Sequence, residues 1–236
     1  MGQHSGTRTD DPLQGRRPTS HERMAGQPWD ASYHDGPAPW DIRRPQPAVV
    51  RLALEGGFKG AVLDAGCGTG ENSLYIAWLS LPSGQAQDQR SVESRAVQVL
   101  GIDVAETALA MAREKAAQRG IDNVEFVAAD VFQLQRLDRS FKTVLDCGLF
   151  HTFDSDERTR YVASLASVTE HGGMLYVLCF SEEGPQTGPH PVREEELRAA
   201  FNPGNGWNIL AIKRERIETR FHENGAPGWL VTIEPV

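Results

Sequence analysis

The chain has 236 residues, 39% of them hydrophobic, with a formal net charge of −8 and a pI near 5.4. That length and composition predict one α/β domain with ample material for a core, and the acidic balance disfavours a nucleic-acid partner, which calls for a basic face. No apolar run reaches the roughly 18 residues of a membrane span, the three cysteines do not look like a disulfide framework, and no apolar signal segment follows Arg16-Arg17, so a cytoplasmic protein without a membrane partner is expected.

Residues 1–27 are polar and nearly free of large apolar groups, which predicts a disordered tail. Trp29, Tyr33 and Trp40 follow in a Pro-rich segment outside any periodic pattern. A helix is expected over 47–55, opened by Pro47 and closed by Gly56-Gly57. A strand over 61–64 leads through a glycine-rich loop into a helix over 72–81. Residues 82–95 are polar and aperiodic and read as an inserted loop. A strand over 97–102 ends in Asp103, and a helix over 106–119 is stopped by Gly120. Strands are expected over 124–127 and 143–146. Asp154 and Glu157 have capping-box spacing for a helix reaching about residue 169. Gly172-Gly173 is expected to end that unit before a continuous apolar strand over 174–179, of the buried parallel kind. A Pro/Gly-rich loop over 184–191 precedes a short helix over 194–201, and strands over 208–221 and 229–234 close the chain. The alternation predicts a doubly wound, mostly parallel seven-stranded sheet with an antiparallel last strand and helices on both faces.

The most informative stretch is Val62-Leu63-Asp64-Ala65-Gly66-Cys67-Gly68-Thr69-Gly70-Glu71-Asn72. Glycine at every second position lets backbone N–H groups approach a ligand that no Cβ would admit. The dinucleotide fingerprint G-x-G-x-x-G needs glycine at 71, where this chain has glutamate. A carboxylate in the first helical turn repels a pyrophosphate, which argues against a nucleotide-dependent oxidoreductase.

Asp64-Ala65-Gly66-Cys67-Gly68-Thr69-Gly70 resembles motif I of the class I S-adenosylmethionine (SAM) dependent methyltransferases, a Rossmann-like family, and the later motifs follow in that family's order. The resemblance implies SAM as cofactor. It places Gly66, Cys67, Gly68 and Gly70 around it, with Asp64 organising the loop and the cofactor's ammonium group. Asp103 is expected to accept the ribose hydroxyls, with helix capping as its alternative role. Asp130 is expected near the adenine amino group, with a solvated loop acid as its alternative. Val104, Val131 and Cys147 are expected beside the cofactor. Core packing is the alternative for Cys147 and Cys179, and Cys67, with no base placed near it, reads as a small loop residue rather than a nucleophile.

The arm Trp29-Asp30-Ala31-Ser32-Tyr33, then Pro39-Trp40-Asp41-Ile42-Arg43-Arg44-Pro45-Gln46-Pro47, is similar to that of the thiopurine/thiol methyltransferase-like branch, which acts on small molecules. There the arm folds over the cofactor and helps to build the acceptor pocket, so residues 28–47 are expected to form a lid carrying Trp29, Tyr33 and Trp40. Merely stapling the arm to the domain is the alternative. Arg43 stands where a glycine is expected in such relatives. The stretch after the fourth strand, from Asp146 to Phe153, is where the family brings acceptor and methyl group together, and it lacks the N/D-P-P-Y-type sequence of nucleic-acid amino-methylating enzymes. Asp146 and His151 are the candidate catalytic residues. His151 is either a base for an acceptor proton or a pocket-wall histidine hydrogen-bonded to backbone. His190 reads as a surface-loop residue. No Cys/His spacing suggests a metal. A small-molecule methyltransferase is the leading expectation, and a non-catalytic SAM-binding module the alternative.

Overall fold

The computed structural model describes residues 13–81, 97–183 and 190–236. The inserted loop expected over 82–95 and most of the 184–191 loop lie outside them. Seven strands, β1 (Ala61–Ala65), β2 (Gln98–Asp103), β3 (Val124–Ala128), β4 (Phe141–Cys147), β5 (Thr169–Phe180), β6 (Trp207–Ile217) and β7 (Ala226–Pro235), form one sheet in the order β3-β2-β1-β4-β5-β7-β6. The first five run parallel, and β7 enters antiparallel between β5 and β6.

Among the described residues six α-helices accompany the sheet: α1 (Ser20–Ala25), α2 (Pro47–Leu54), α3 (Glu71–Ser80), α4 (Glu106–Arg119), α5 (Ser155–Ala166) and α6 (Glu194–Ala200). Side chains of a strand alternate between faces, and the core divides accordingly. Val62 and Leu145 pack with Val49 of α2, Leu74 of α3 and Leu109 of α4. Leu63 and Val144 pack with Tyr161 and Leu165 of α5 and Leu197 of α6. The order reverses between β1 and β4, so their outgoing loops part and leave a crevice at the strands' carboxyl ends.

Two expectations are corrected. The tail is not disordered throughout 1–27: from residue 13 the chain is described, and Thr19 and Glu22 form a reciprocal capping box that starts α1. Gly172-Gly173 does not end the fifth unit but lies inside β5. The register jumps there from Phe141↔Thr169 to Thr143↔Met174, and Gly172 holds the irregularity at φ +67°. The preceding helix accordingly stops at Ala166, short of 169.

Candidate active site

A cavity of about 410 Å³ opens over the crevice between the β1 and β4 loops. Of the expected site residues, Trp29, Tyr33, Trp40, Gly66, Cys67, Gly68, Asp103, Val104, Asp130, Val131, Cys147 and His151 line it. Asp64, Gly70 and Asp146 do not.

These three act beneath the surface. Asp64 is 1% exposed and accepts the Ser73 hydroxyl at 2.5 Å, tying β1 to α3. Burial pushes its carboxyl up to about 6. Gly70 caps α3 in the left-handed region, and a Cβ there would meet the Phe126 ring at 2.7 Å and Ala112 at 2.9 Å. Its glycine is therefore required by packing. Asp146 Oδ1 accepts the Leu149 and Phe150 N–H groups at 2.9 and 3.3 Å and shapes the turn after β4, while Oδ2 finds no hydrogen-bond partner among the described residues. Burial raises this carboxyl to about 7.

The glycine loop is fixed from β2. Asp103 accepts the Gly68 N–H with one oxygen and the Ala105 N–H with the other, both at 2.9 Å, and so does not cap α4 through its side chain in the ordinary way. Desolvation raises its carboxyl, against these backbone hydrogen bonds. Asp130 accepts the Phe132 N–H at 3.0 Å and the Gln133 amide at 2.9 Å, so it is a structured, 5% exposed acid rather than a solvated one. Burial pushes the Cys67 thiol well up, with Asp103 and Asp64 adding to the shift, which leaves no nucleophilic thiolate. Glu71 sits at 2.8 Å from Lys115 and 3.0 Å from Arg119. Burial alone would raise it, but the hydrogen bonds from Arg119 and Lys115 hold it low. Its charge is thus answered by α4, and repulsion from Glu71 loses force as an argument against a pyrophosphate. Asp41, Asp103 and Asp130 line the same cavity, whose arginines Arg16 and Arg44 are already paired with Glu22 and Glu218, and this restores that argument.

The aromatic arm roofs the cavity. The Trp40 indole donates to the Tyr33 hydroxyl at 2.9 Å, and Trp29 meets Trp40 edge-on at 5.4 Å and stacks on His21 at 4.3 Å. A Cβ on Gly68, at φ +53°, would lie 3.2 Å from the Tyr33 hydroxyl, so arm and glycine loop are in contact. Arg43 has φ +58°, the left-handed backbone that glycine favours, held by its N–H donating to Asp41 at 2.9 Å. The turn expected of a glycine is made with an arginine.

His151 is 5% exposed, lies against the Phe180 ring at 4.2 Å, and accepts the Phe180 N–H at Nδ1 over 3.3 Å. Burial lowers its pKa to about 3, with Arg158, His21 and His190 acting in the same direction. Sequence reasoning missed the wall at and just before α1 (Arg16, Thr19 and His21) and the wall at the end of β6 and beyond it (Ile217, Glu218, Thr219, Phe221 and His222). The first had a legible signal in Thr19-Ser20-His21-Glu22, a capping-box pattern. The second had none.

The methyltransferase-domain family matches residues 62–173. A 2-heptyl-1-hydroxyquinolin-4(1H)-one methyltransferase of Mycobacteroides abscessus is 36% identical over 80% of this chain and 78% of its own. The chain belongs to the SAM-dependent methyltransferases. A solved structure concerned with conversion of a disulfide bond into a thioacetal group during echinomycin biosynthesis is 31% identical, with TM-score 0.68 over 84% of both chains. The Burkholderia thailandensis 1,6-didemethyltoxoflavin-N1-methyltransferase, solved with that heterocycle and S-adenosylhomocysteine, shares the fold at TM-score 0.66 and 22% identity over 95% of this methyltransferase and 94% of its own chain.

SAM fits the methyltransferase's own residues. Gly66, at φ +75°, takes the left-handed backbone that glycine favours, and a Cβ there would press on the Leu149 side chain at 3.0 Å, so glycine keeps the loop close to the turn after β4 with its backbone bordering the cavity. The acidic cavity wall suits a ligand with an ammonium and a ribose and no phosphate.

Proposed function

We propose that this methyltransferase acts on a sulfur, oxygen or nitrogen atom of a small planar aromatic, heterocyclic or thiol-bearing acceptor, in the cytoplasm and without a nucleic-acid or membrane partner. The carrying observation is a single cavity that joins the glycine loop and Asp103 to a wall containing Phe132, Phe153 and Phe180 under the Trp29–Trp40 roof. Flat aromatic walls suit a flat ligand. Two of the similar proteins are named for heterocycles, 2-heptyl-1-hydroxyquinolin-4(1H)-one and 1,6-didemethyltoxoflavin.

In this reading Asp103 takes the ribose hydroxyls with the lone pairs its backbone contacts leave free. Asp130, Val104 and Val131 flank the adenine, and the Gly66–Gly68 backbone and Cys147 border the amino-acid part. Asp64 supports that loop through Ser73. The arm of residues 28–47 serves as the lid. When bound, the cofactor supplies an electrophilic methyl group on a sulfonium. The chain's contribution is to bring the acceptor atom into line and to exclude water, which alone can account for many orders of magnitude.

The test is S-adenosylhomocysteine formation, followed by mass spectrometry, with a panel of small thiols, phenols and hydroxylated or nitrogen heterocycles. Acceptor-dependent turnover is expected for planar members. Turnover confined to aliphatic acceptors that carry no thiol would defeat the proposal.

A further inference from the structure

We propose that His151 is a hydrogen-bond donor that selects acceptors already ionised at the atom to be methylated or at its neighbour, and that it does not take the acceptor's proton. The inference rests on the acceptor site read above and adds the chemical class it favours: ring oxyanions, N-hydroxy oxyanions and thiolates.

The Phe180 N–H points at His151 Nδ1 over 3.3 Å. A backbone N–H has no lone pair, so Nδ1 must be the bare nitrogen and the single ring proton must sit on Nε2. The only nitrogen able to accept a proton is thus covered by β5, and Nε2 can only donate. The ring is clamped in this state by the Phe180 side chain at 4.2 Å and by its 5% exposure.

A second proton is opposed by burial and by charged or titratable groups on three neighbouring segments. Arg158 on α5, His21 on α1 and His190 ahead of α6 each disfavour a cationic His151. Arg158 is itself fixed by the His190 carbonyl at 2.8 Å and by Glu196 at 3.1 Å, so its charge stays in place. The ring nevertheless lines the cavity. Nε2 has no hydrogen-bond partner among the described residues, and a neutral N–H left to meet a ligand gains most from an anionic one, because hydrogen bonds to ionised groups are about twice as strong as neutral ones. With such an acceptor the charges also balance. Anion and sulfonium become two neutral products as the new bond to the methyl carbon forms and the carbon–sulfur bond breaks, and no proton has to leave.

Two measurements decide the matter. Nitrogen-15 NMR of the labelled enzyme should show His151 as the neutral Nε2–H tautomer across neutral pH, and an Nδ1–H tautomer or an imidazolium would overturn the proposal without reference to turnover. The second is kcat/KM against pH for wild type, His151→Gln and His151→Phe with acceptors of differing acidity. The expected midpoint follows each acceptor's own pKa. Gln keeps an N–H donor and should retain activity within about tenfold, whereas Phe should lose roughly tenfold to a hundredfold, the range for a hydrogen bond to a charged group. A midpoint common to all acceptors, with Gln as inactive as Phe, would assign a base and defeat the inference. Absence of turnover with every acceptor would count against the acceptor reading, while the tautomer would still decide the donor state.

Discussion

Ser20 and Glu157, 137 residues apart, are joined twice: the Ser20 hydroxyl donates to Glu157 Oε2 at 2.5 Å and its backbone N–H to Oε1 at 2.7 Å. Glu157 also completes the capping box of α5 by accepting the Asp154 N–H at 3.2 Å. One 6% exposed carboxylate thus starts α5 and fastens α1 over the cavity. Glu157→Ala should cost about 2 kcal/mol, in line with losing hydrogen bonds to a charged group, and Ser20→Ala about 1 kcal/mol. Denaturant titration reads both. Tryptic cleavage after Arg23 should accelerate in each variant, and unchanged cleavage would show that α1 is held by other contacts.

Asp103 has two tasks, and one substitution separates them. Asp103→Asn keeps a single acceptor oxygen, so either the Gly68 or the Ala105 N–H loses its partner and one face toward the cavity becomes a donor. SAM affinity measured by calorimetry should fall by roughly tenfold or more, the lower range for a charge-assisted hydrogen bond. An unchanged Kd would remove Asp103 from the cofactor site.

Legibility followed the range of the interactions involved. The span of α4 could be read to the residue because Gly120 stops it locally, at φ +63°. The glycine loop is legible because its spacing encodes a backbone shape, whereas the hold of Asp103 on the Gly68 and Ala105 N–H groups is not. The α1 wall is hard to read because the polar composition around it masks the Thr19-x-x-Glu22 signal, and because its anchor, Glu157, lies far along the chain. The state of His151 depends on the N–H of Phe180, 29 residues later, and no local pattern reports it. Asp146 shows the same dependence on distant structure: a carboxylate at a strand end is visible in sequence, but that it lies beneath the cavity lining and holds the Leu149 and Phe150 N–H groups is not.

Arg43 marks a place where the chain departs from the residue its backbone favours. At φ +58° a side chain costs about 1 kcal/mol that glycine avoids. The Arg43 side chain is exposed, so little packing is lost on removing it. Arg43→Gly should therefore leave stability unchanged or raise it by up to about 1 kcal/mol, the gain being offset by greater freedom of the unfolded chain. A loss above about 1 kcal/mol on thermal denaturation would reveal a contact of the guanidinium that this balance omits.

Asp146 gives the clearest pH signature. Its folded carboxyl is pushed up to about 7 by burial, above the ordinary value of about 3.9. Between those values the folded chain holds a proton that the unfolded chain has released, so this group makes stability fall as pH rises through the window. Asp64, raised to about 6, contributes in the same direction, and His151, lowered to about 3, in the opposite one. Both remain in Asp146→Asn, so the difference between variant and wild type isolates Asp146 apart from its coupling to Asp64. Asparagine keeps an oxygen for the Leu149 and Phe150 N–H groups and never ionises. Its denaturation midpoint relative to wild type should rise from about pH 4 to about pH 8. Turnover should stay within a few-fold, because Asp146 does not line the cavity. A flat stability difference would mean that Asp146 is ionised at ordinary pH, and a large loss of turnover would return it to the chemistry.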